Sequence, residues 1–265
     1  MASRLAGKVA IIAGAGQTPG STTGNGRAMA LLFAREGARV ICLDRDLARA
    51  QETVDLITAE GQAAQPLVAD VSQADACQQA VAQVLSAHDR VDILVNNVGI
   101  GGGGAVHELD EREFDRTLRV NLKGSWLMTR AVLKAMREQR SGAIVNISSL
   151  AASAGGIQLA YELSKAALNR LTTSVAQSQA RYGIRCNAVQ PGLIDTPMAV
   201  AGIAEATQRT EAEVRAERDA RVPLRGRMGT AWDTAYAALF LASDEAAFIS
   251  GAILPVDGAM GVRIG

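Results

Sequence analysis

The sequence predicts an α/β domain in which a parallel sheet carries helices on both faces. Two observations support this prediction: short apolar runs of four or five residues recur along the chain, and longer amphipathic stretches separate them. Runs of that length, rich in β-branched residues, are typical of strands buried on both faces. Regular alternation of strand and helix indicates crossover connections and hence a parallel sheet. We expect about seven strands in a single domain that spans residues 1–265.

The predicted elements follow one another without a linker or an internal repeat. The strand-like runs cover residues 9–13, 40–44, 66–70, 93–96, 143–147, 185–189 and 252–256. The helix-like stretches cover residues 26–36, 47–60, 74–88, 111–139, 161–182 and 232–241. Residues 198–222 interrupt this alternation with a polar sequence compatible with helix. We expect this segment to be an insertion that covers a substrate.

Composition argues against several classes of protein. The 27 basic and 27 acidic residues balance and form no basic stripe, so a nucleic-acid surface is not expected. Three scattered cysteines and two histidines predict neither a disulfide framework nor a metal site. The first residues lack the pattern of a signal peptide, and no apolar run approaches 18 residues. We therefore expect a cytoplasmic protein that does not span a membrane.

A glycine-rich loop, GAGQTPGSTTGNG, joins the first predicted strand to the first predicted helix. Glycines at such a place let the backbone turn sharply and approach a pyrophosphate, which then sits at the helix N-terminus. Gly14, Gly24 and Gly26 are the positions that we assign to cofactor binding. The alternative is a flexible turn without a ligand.

Asp44 ends the second predicted strand, 18 residues after Gly26. A carboxylate at this position can accept hydrogen bonds from an adenosine ribose and would repel a 2′-phosphate. The position therefore favours NAD, with NADP less favoured. Three alternatives stay open: Asp44 caps the following helix, Asp44 stabilises a turn in the sequence Asp44-Arg45-Asp46, or Arg45 pairs with a phosphate.

Tyr161 and Lys165 form a Y-x-x-x-K pair in a predicted helix. The i, i+4 spacing places both side chains on one helix face. A free tyrosine has a pKa of about 10, and a nearby ammonium group favours the phenolate. The pair is therefore predicted to be a proton-transfer device, although the same spacing also occurs on solvated helix faces.

These features, taken with several motifs in a fixed order, resemble the short-chain dehydrogenase/reductase family from residue 8 to residue 258. The motifs are Asp70-Val71, Asn96-Asn97-Val98-Gly99, Asn121, Asn146-Ile147-Ser148-Ser149, the Tyr161/Lys165 pair and Pro191-Gly192-Leu193-Ile194-Asp195-Thr196. The resemblance implies a doubly wound (Rossmann) sheet and a nicotinamide cofactor.

The resemblance also implies catalytic roles for individual residues. Tyr161 would be the acid/base, and Lys165 would tune it and bind the nicotinamide ribose. A serine would bond the substrate oxygen, and Asn121 would hold a water in a proton relay. Asn121 can alternatively be a buried polar group of a helix.

The implied cofactor contacts extend along the edge of the sheet. Asp70 and Val71 would flank the adenine, and Asn97 would lie at the adenosine-side ribose. Ile194 and Thr196 would contact the nicotinamide carboxamide. Simple capping roles stay open for Asp70 and Thr196.

Two features depart from the family pattern. Nine residues separate Gly14 from Gly24, about six more than usual, so the path of residues 17–23 is not predicted. The usual spacing to the tyrosine selects Ser148 as the catalytic serine, whereas alignment of the strand end selects Ser149. We prefer Ser149, because strand register determines which way a side chain faces, while loops tolerate deletions.

The predicted function is hydride transfer between NAD(H) and a secondary alcohol or its ketone, a substrate that the sequence does not identify further. One alternative is an NADP-linked carbonyl reductase of the same fold, and another is a dinucleotide-sensing protein without catalysis. The resemblance further implies a homotetramer or homodimer in which the helices at 111–139 and 161–182 pair with those of a second subunit.

Overall fold

The computed structural model describes residues 3–155 and 157–262, so the ends of the predicted domain and residue 156 lie outside the described residues. Within them, seven parallel strands form one sheet in the order β3-β2-β1-β4-β5-β6-β9. These strands are β1 Val9–Ala13, β2 Arg39–Asp44, β3 Ala64–Val68, β4 Ile93–Asn96, β5 Gly142–Ile147, β6 Ile184–Pro191 and β9 Ile253–Val256. The predicted α/β class and the doubly wound sheet are confirmed.

Helices connect these strands and lie on both faces of the sheet. They are α1 Asn25–Arg35, α2 Leu47–Ala59, α3 Ala74–His88, α4 Glu111–Leu118, α5 Gly124–Gln139, α6 Leu159–Gln179, α7 Ala201–Thr207, α8 Glu211–Asp219 and α9 Ala231–Ala242. Two short strands, β7 Ile194–Asp195 and β8 Gly229–Thr230, pair beside the main sheet.

Alternate residues of each strand enter opposite layers of the core. In β1, Ala10 and Ile12 join an apolar cluster with α1 and α9, whereas Val9 and Ile11 join a second cluster with α3, α5 and α6. Such two-sided burial is the reason that the strands appear in the sequence as continuous apolar runs.

Most predicted bounds shift by a few residues, and two of the differences affect the site. The third strand ends at Val68, two residues earlier than predicted, so Asp70 lies in the loop after it. The predicted helix at 111–139 contains a π-helical turn, Arg119–Lys123, between α4 and α5. A π turn inserts a residue into the helical ladder and changes which side chains face inward, a local event that periodicity does not predict.

The sheet brings the predicted site residues to one edge. Parallel strands present their carboxyl ends together, and the strand order reverses between β1 and β4. Such a reversal opens a crevice where ligands bind in doubly wound sheets. The residues that follow β1, β4, β5 and β6 therefore converge on this edge.

Candidate active site

The turn after β1 is built so that α1 approaches the backbone closely. Gly14 has φ +81°, a conformation that side chains rarely adopt. A Cβ on Gly26 would overlap the carbonyl oxygen of Gly14. Asn97 donates from Nδ2 to that same oxygen at 2.9 Å, which ties the turn to the end of β4. Asn97 thus supports the glycine turn, and its predicted ribose contact stays a prediction.

Gly24 serves a different purpose from Gly14 and Gly26. It is the N-cap residue of α1, and the only atoms near a Cβ there belong to the side chain of Gln17 at 3.8 Å. Its amide donates to Oε1 of Gln17 at 2.8 Å, and this bond closes the extended loop 17–23 on itself. The sequence alone did not predict this closure.

Asp44 holds the same glycine loop from the end of β2. Its Oδ2 accepts from the Gly16 amide at 3.1 Å, and a Cβ on Gly16 would lie 2.6 Å from that oxygen. The capping alternative for Asp44 is wrong, because Asp46 caps α2. The turn alternative agrees with the structure, since Oδ1 of Asp44 accepts from the Asp46 amide at 3.1 Å. Gly16 is a site residue that sequence reasoning missed, although its place two residues after Gly14 was a usable signal.

Asp70 and Val71 lie in the loop after β3, and their contact with the adenine stays a prediction. Asp70 is exposed, and its Oδ1 accepts from the Ser72 amide at 2.9 Å in a tight turn. It does not cap α3, whose N-cap residue is Gln73. Val71 is buried, and a Cβ on Gly124 would lie 2.8 Å from its Cγ2.

Tyr161 and Ser149 meet through a hydrogen bond of their side chains. Burial raises the pKa of Tyr161, and the bond with Ser149 opposes that rise. Ser148 lies differently: its side chain is 3% exposed, and its hydroxyl donates to the Lys165 carbonyl oxygen at 3.4 Å. Consecutive residues face opposite ways at the end of a strand, and Ser149 is the one that faces the tyrosine.

Lys165 is buried below the tyrosine. Its Nζ donates to the Ile147 carbonyl oxygen at 2.8 Å and lies 5.6 Å from the centroid of the Tyr161 ring. Burial lowers the pKa of Lys165 to about 8. In the chain by itself, burial raises the pKa of Tyr161 and only the Ser149 hydrogen bond opposes it, so the tuning of Tyr161 by Lys165 stays a prediction.

Asn121 lies in the π turn and is fully buried. Its Oδ1 accepts from the Ile100 amide at 2.8 Å, and its Nδ2 donates to the Ile100 carbonyl oxygen and to Ser164. Its backbone carbonyl accepts from the Ser125 hydroxyl. In these bonds Asn121 holds the loop after β4 against α6, and its water-holding role stays a prediction.

Ile194 and Thr196 follow β6 on the same edge and are buried. The Thr196 hydroxyl accepts from the Ala199 amide at 3.4 Å, so it stabilises the turn that precedes α7. The helix itself begins later, with Val200 at its N-cap. Thr196 is thus a turn-stabilising residue here, and its carboxamide contact is not tested by these bonds.

A buried oxygen near the glycine turn has no partner among the described residues. Oδ1 of Asn25, between Gly24 and Gly26, is shielded from solvent and accepts no hydrogen bond there. An unpaired buried acceptor is costly, which favours a donor supplied from outside the chain. No sequence motif singles out this residue.

Other features of the described residues do not indicate a second functional site. A cavity of about 440 Å³ lies at the opposite edge of the sheet, where Arg185 already donates to the Leu241 and Ala242 carbonyl oxygens. The described residues contain no cluster that could hold a metal ion, and no described helix is long and apolar enough to cross a membrane. The cysteines Cys42, Cys77 and Cys186 are free, and burial raises the pKa of each thiol.

Comparison with known proteins gives one consistent family. The family model described as enoyl-(acyl carrier protein) reductase matches residues 20–261. A 3-oxoacyl-[acyl-carrier-protein] reductase of Thermotoga maritima is 36% identical over 97% of this chain and 99% of its own length. A gluconate 5-dehydrogenase of Burkholderia cenocepacia, solved with NADP and tartrate, is 30% identical over 99% of this chain and 98% of its own, with a TM-score of 0.88.

A crystal structure from Burkholderia xenovorans, assigned to the short-chain dehydrogenase/reductases, agrees over the whole molecule. It is 42% identical, covers 100% of both chains and has a TM-score of 0.91. This chain belongs to the short-chain dehydrogenase/reductase family of oxidoreductases.

Proposed function

We propose that this protein transfers a hydride between a nicotinamide cofactor and a secondary alcohol or ketone, with Tyr161 as the acid/base. The observation that carries the proposal is the side-chain hydrogen bond between Ser149 and Tyr161 beside the buried ammonium group of Lys165. These groups lie on the same sheet edge as the glycine turn. Proton transfer and cofactor binding can therefore occur next to each other.

The residues of the glycine turn fit a dinucleotide. Gly14, Gly16 and Gly26 are positions where a Cβ would crowd the backbone or Asp44, so the loop presents bare backbone to a ligand. The N-terminus of α1 would favour a pyrophosphate, and the unpaired Asn25 oxygen would accept from a donor of the cofactor. When bound, the nicotinamide gives or takes the hydride.

The chain's own residues would handle the proton. A raised pKa keeps the Tyr161 phenol protonated at neutral pH, which is the form that donates a proton as a ketone is reduced. Ser149 would hold the substrate oxygen beside the phenol. In the opposite direction the phenol must lose its proton, so alcohol oxidation is expected to accelerate as pH rises.

Replacement of Tyr161 tests this proposal. Tyr161→Phe should lower kcat by about 10²-fold or more, the scale of general acid–base catalysis, and leave NADH binding nearly intact. Tyr236→Phe, at an exposed position on α9, is the matched control and should leave kcat unchanged. Turnover is measured with a panel of alcohols and ketones, and cofactor binding by NADH fluorescence. Near-normal turnover in Tyr161→Phe would sink the assignment, and binding without turnover on any substrate would favour a dinucleotide sensor.

We infer NAD as the preferred cofactor from Asp44. Its carboxylate would meet the adenosine ribose, and a 2′-phosphate there would bring two anions together. NAD should therefore be preferred in kcat/KM by about 10-fold, and Asp44→Ser should narrow that ratio. Asp46→Ser is the matched control, because it removes a neighbouring carboxylate but keeps a helix-capping side chain.

NADP is the second candidate cofactor. The gluconate 5-dehydrogenase that resembles this chain holds NADP, and Arg45 beside Asp44 is exposed and within the same turn. A wild-type preference for NADP would overturn the NAD assignment. An unchanged ratio in Asp44→Ser would remove that residue from cofactor selection.

Assembly into a dimer or tetramer through α4, α5 and α6 remains part of the proposal. Trp126 on α5 and Leu163 on α6 are large apolar side chains that are 42% and 45% exposed. Their burial against a second copy would remove this apolar surface from water. Light scattering at micromolar concentration tests it, and a monomer would refute it.

A further inference from the structure

The extended glycine loop contacts the insertion between β7 and β8, here called the α7–α8 segment (residues 198–222). The Ser21 hydroxyl donates to Glu211 of α8 at 3.0 Å. Arg215, one turn later in α8, donates from Nη2 to the Ser21 hydroxyl at 3.0 Å and to Glu211 at 2.9 Å. Ser21 belongs to the residues by which the loop exceeds the usual length. The residues that lengthen the glycine loop thus contact the α7–α8 segment.

The same arginine reaches the strand that carries predicted cofactor contacts. Its Nε donates to Oδ2 of Asp195 at 3.0 Å, while the Thr22 hydroxyl reaches Oδ1 of Asp195 at 3.5 Å. Asp195 lies between Ile194 and Thr196 in the chain. One guanidinium group therefore joins the glycine loop, β7 and α8, and we call this set of contacts the clasp.

Packing supports the polar contacts at a second point. Gly20 abuts Pro197 so closely that a Cβ on Gly20 would lie 2.7 Å from the Pro197 Cβ. The absence of a side chain at Gly20 is what lets the loop lie against the start of the α7–α8 segment.

The α7–α8 segment has an apolar cluster separate from the two clusters of the sheet. Val200, Ala204, Val214, Val222 and Met228 form it, with Leu193, Ile203 and Met260 at its margin. The segment thus packs around a small cluster of its own with neighbouring residues such as Met228, and regions with few buried contacts open at a lower free energy than the core. The contacts at the clasp decide how this segment sits against the glycine loop.

Electrostatics make Arg215 the central member of the clasp. Asp195 and Glu211 both face it, and their hydrogen bonds raise the pKa of Arg215. Hydrogen bonds from Ser21 and Arg215 lower the pKa of Glu211, so it stays charged at neutral pH. Without the guanidinium, Asp195 and Glu211 would lose their shared partner, and the hydrogen bonds that join α8 to β7 through Arg215 would be absent.

We propose that Arg215 is a positioning residue through which cofactor in the glycine loop orders the α7–α8 segment against that loop and β7. This inference rests on the proposed function. A ligand that fixes the loop fixes Ser21 and Thr22, and through the clasp it fixes α8. Coupling is reciprocal, so ordering of the segment by substrate strengthens cofactor binding by the same factor.

Amide hydrogen exchange across residues 201–219, with and without NADH, tests the proposal. In the wild type, saturating NADH should slow exchange by about 10-fold, within the usual range of coupling between sites. In Arg215→Ala the slowing should fall below about 2-fold, and Arg215→Lys should recover part of it. Gly20→Ala, whose Cβ would crowd Pro197, should also reduce the NADH-dependent slowing of exchange.

Arg209→Ala is the matched control. Arg209 also forms an ion pair within the segment, with Glu217 at 2.6 Å, but that pair stays within the α7–α8 segment. The NADH-dependent slowing should survive there, and circular dichroism should report folded protein in every variant. Steady-state kinetics should give Arg215→Ala a substrate KM raised about 10-fold with a smaller change in kcat.

The outcomes separate the two proposals. If neither NADH nor NADPH binds the wild type, the proposed function falls and this inference falls with it. If NADH binds Arg215→Ala and still slows exchange as in the wild type, or if Arg209→Ala loses the slowing equally, the clasp has no coupling role while the proposed function stands.

Discussion

The candidate active site, at the edge of the sheet where the strands have their carboxyl ends, and the clasp are held together by different physical means. At the edge, Lys165 is 3% exposed and Asn121 is fully buried; Asn121 bonds the Ser164 hydroxyl, and Ser149 bonds Tyr161. At the clasp, the Arg215 and Asp195 side chains are 29% and 24% exposed and form ion pairs near solvent. The edge therefore suits fixed geometry, and the clasp suits a contact that can break and re-form.

This difference follows from the strength of each kind of interaction. A buried group that loses its partner costs a large desolvation free energy, so the edge has essentially one arrangement. An exposed ion pair contributes about 1 kcal/mol or less, so the clasp can open at little cost. A protein that must admit substrate and then position it needs both kinds.

The largest effect is expected for crowding in the glycine turn. Gly26→Ala should lower the free energy of unfolding by about 3 kcal/mol, because its Cβ would overlap the Gly14 carbonyl oxygen. Gly24→Ala should cost about 1 kcal/mol or less, since only the end of a flexible side chain lies nearby. Urea denaturation compares them, and equal losses would mean that the close approach of α1 is not what requires Gly26.

Burial of Lys165 should appear in the pH dependence of stability. Its pKa falls from 10.5 in the unfolded chain to about 8 in the folded chain, so the unfolded chain binds the proton more tightly between those values. The free energy of unfolding should thus rise with pH from 8 to 10.5, by about 3 kcal/mol relative to Lys165→Met. Unfolding of both proteins at several pH values measures this difference, and parallel curves would contradict the buried cation.

Replacing Ser148 and Ser149 separately tests which of the two serines is catalytic. Ser149→Ala should lower kcat by about 10²-fold, as loss of one hydrogen-bond donor at a reacting oxygen does. Ser148→Ala should change kcat by less than about 10-fold, because that hydroxyl bonds the α6 backbone. The reverse ranking in steady-state assays would show that spacing to the tyrosine, rather than strand register, identifies the serine.

The smallest effect is expected from salt. The screening length falls from about 10 Å at 0.1 M to about 3 Å at 1 M, so the exposed clasp should weaken while the buried edge does not. The substrate KM should rise about 3-fold between 0.1 and 1 M NaCl in the wild type, the scale of a surface ion pair. Arg215→Ala should lose this dependence, and a similar slope in both proteins would place the salt effect elsewhere.

The main features of the fold are readable from local sequence. Buried parallel strands leave continuous apolar runs, and those at 9–13 and 93–96 have the predicted bounds. The order of motifs likewise predicts that the glycine loop, Asn97, Tyr161 and Lys165 meet at one edge, because parallel strands align their carboxyl ends. Residue-to-residue spacing carries this information directly.

Other features depend on contacts between residues far apart in the chain. Ser149 faces Tyr161 because of how the end of β5 lies against α6. The pKa of Tyr161 is raised because its phenol is buried in the folded chain. Gly16 is required because Asp44 lies against it, 28 residues later. The residues that neighbour Gly16 or Asp44 in the sequence do not predict that contact.

The clasp is the clearest example of a feature that local sequence does not predict. The sequence by itself identified an overlong glycine loop and a polar insertion at 198–222 as two separate departures. Only the tertiary structure brought Ser21 within hydrogen-bond distance of Arg215, 194 residues later. Periodicity and propensity act over a few residues, whereas an ion pair between two loops is selected by how the intervening sheet places them in space.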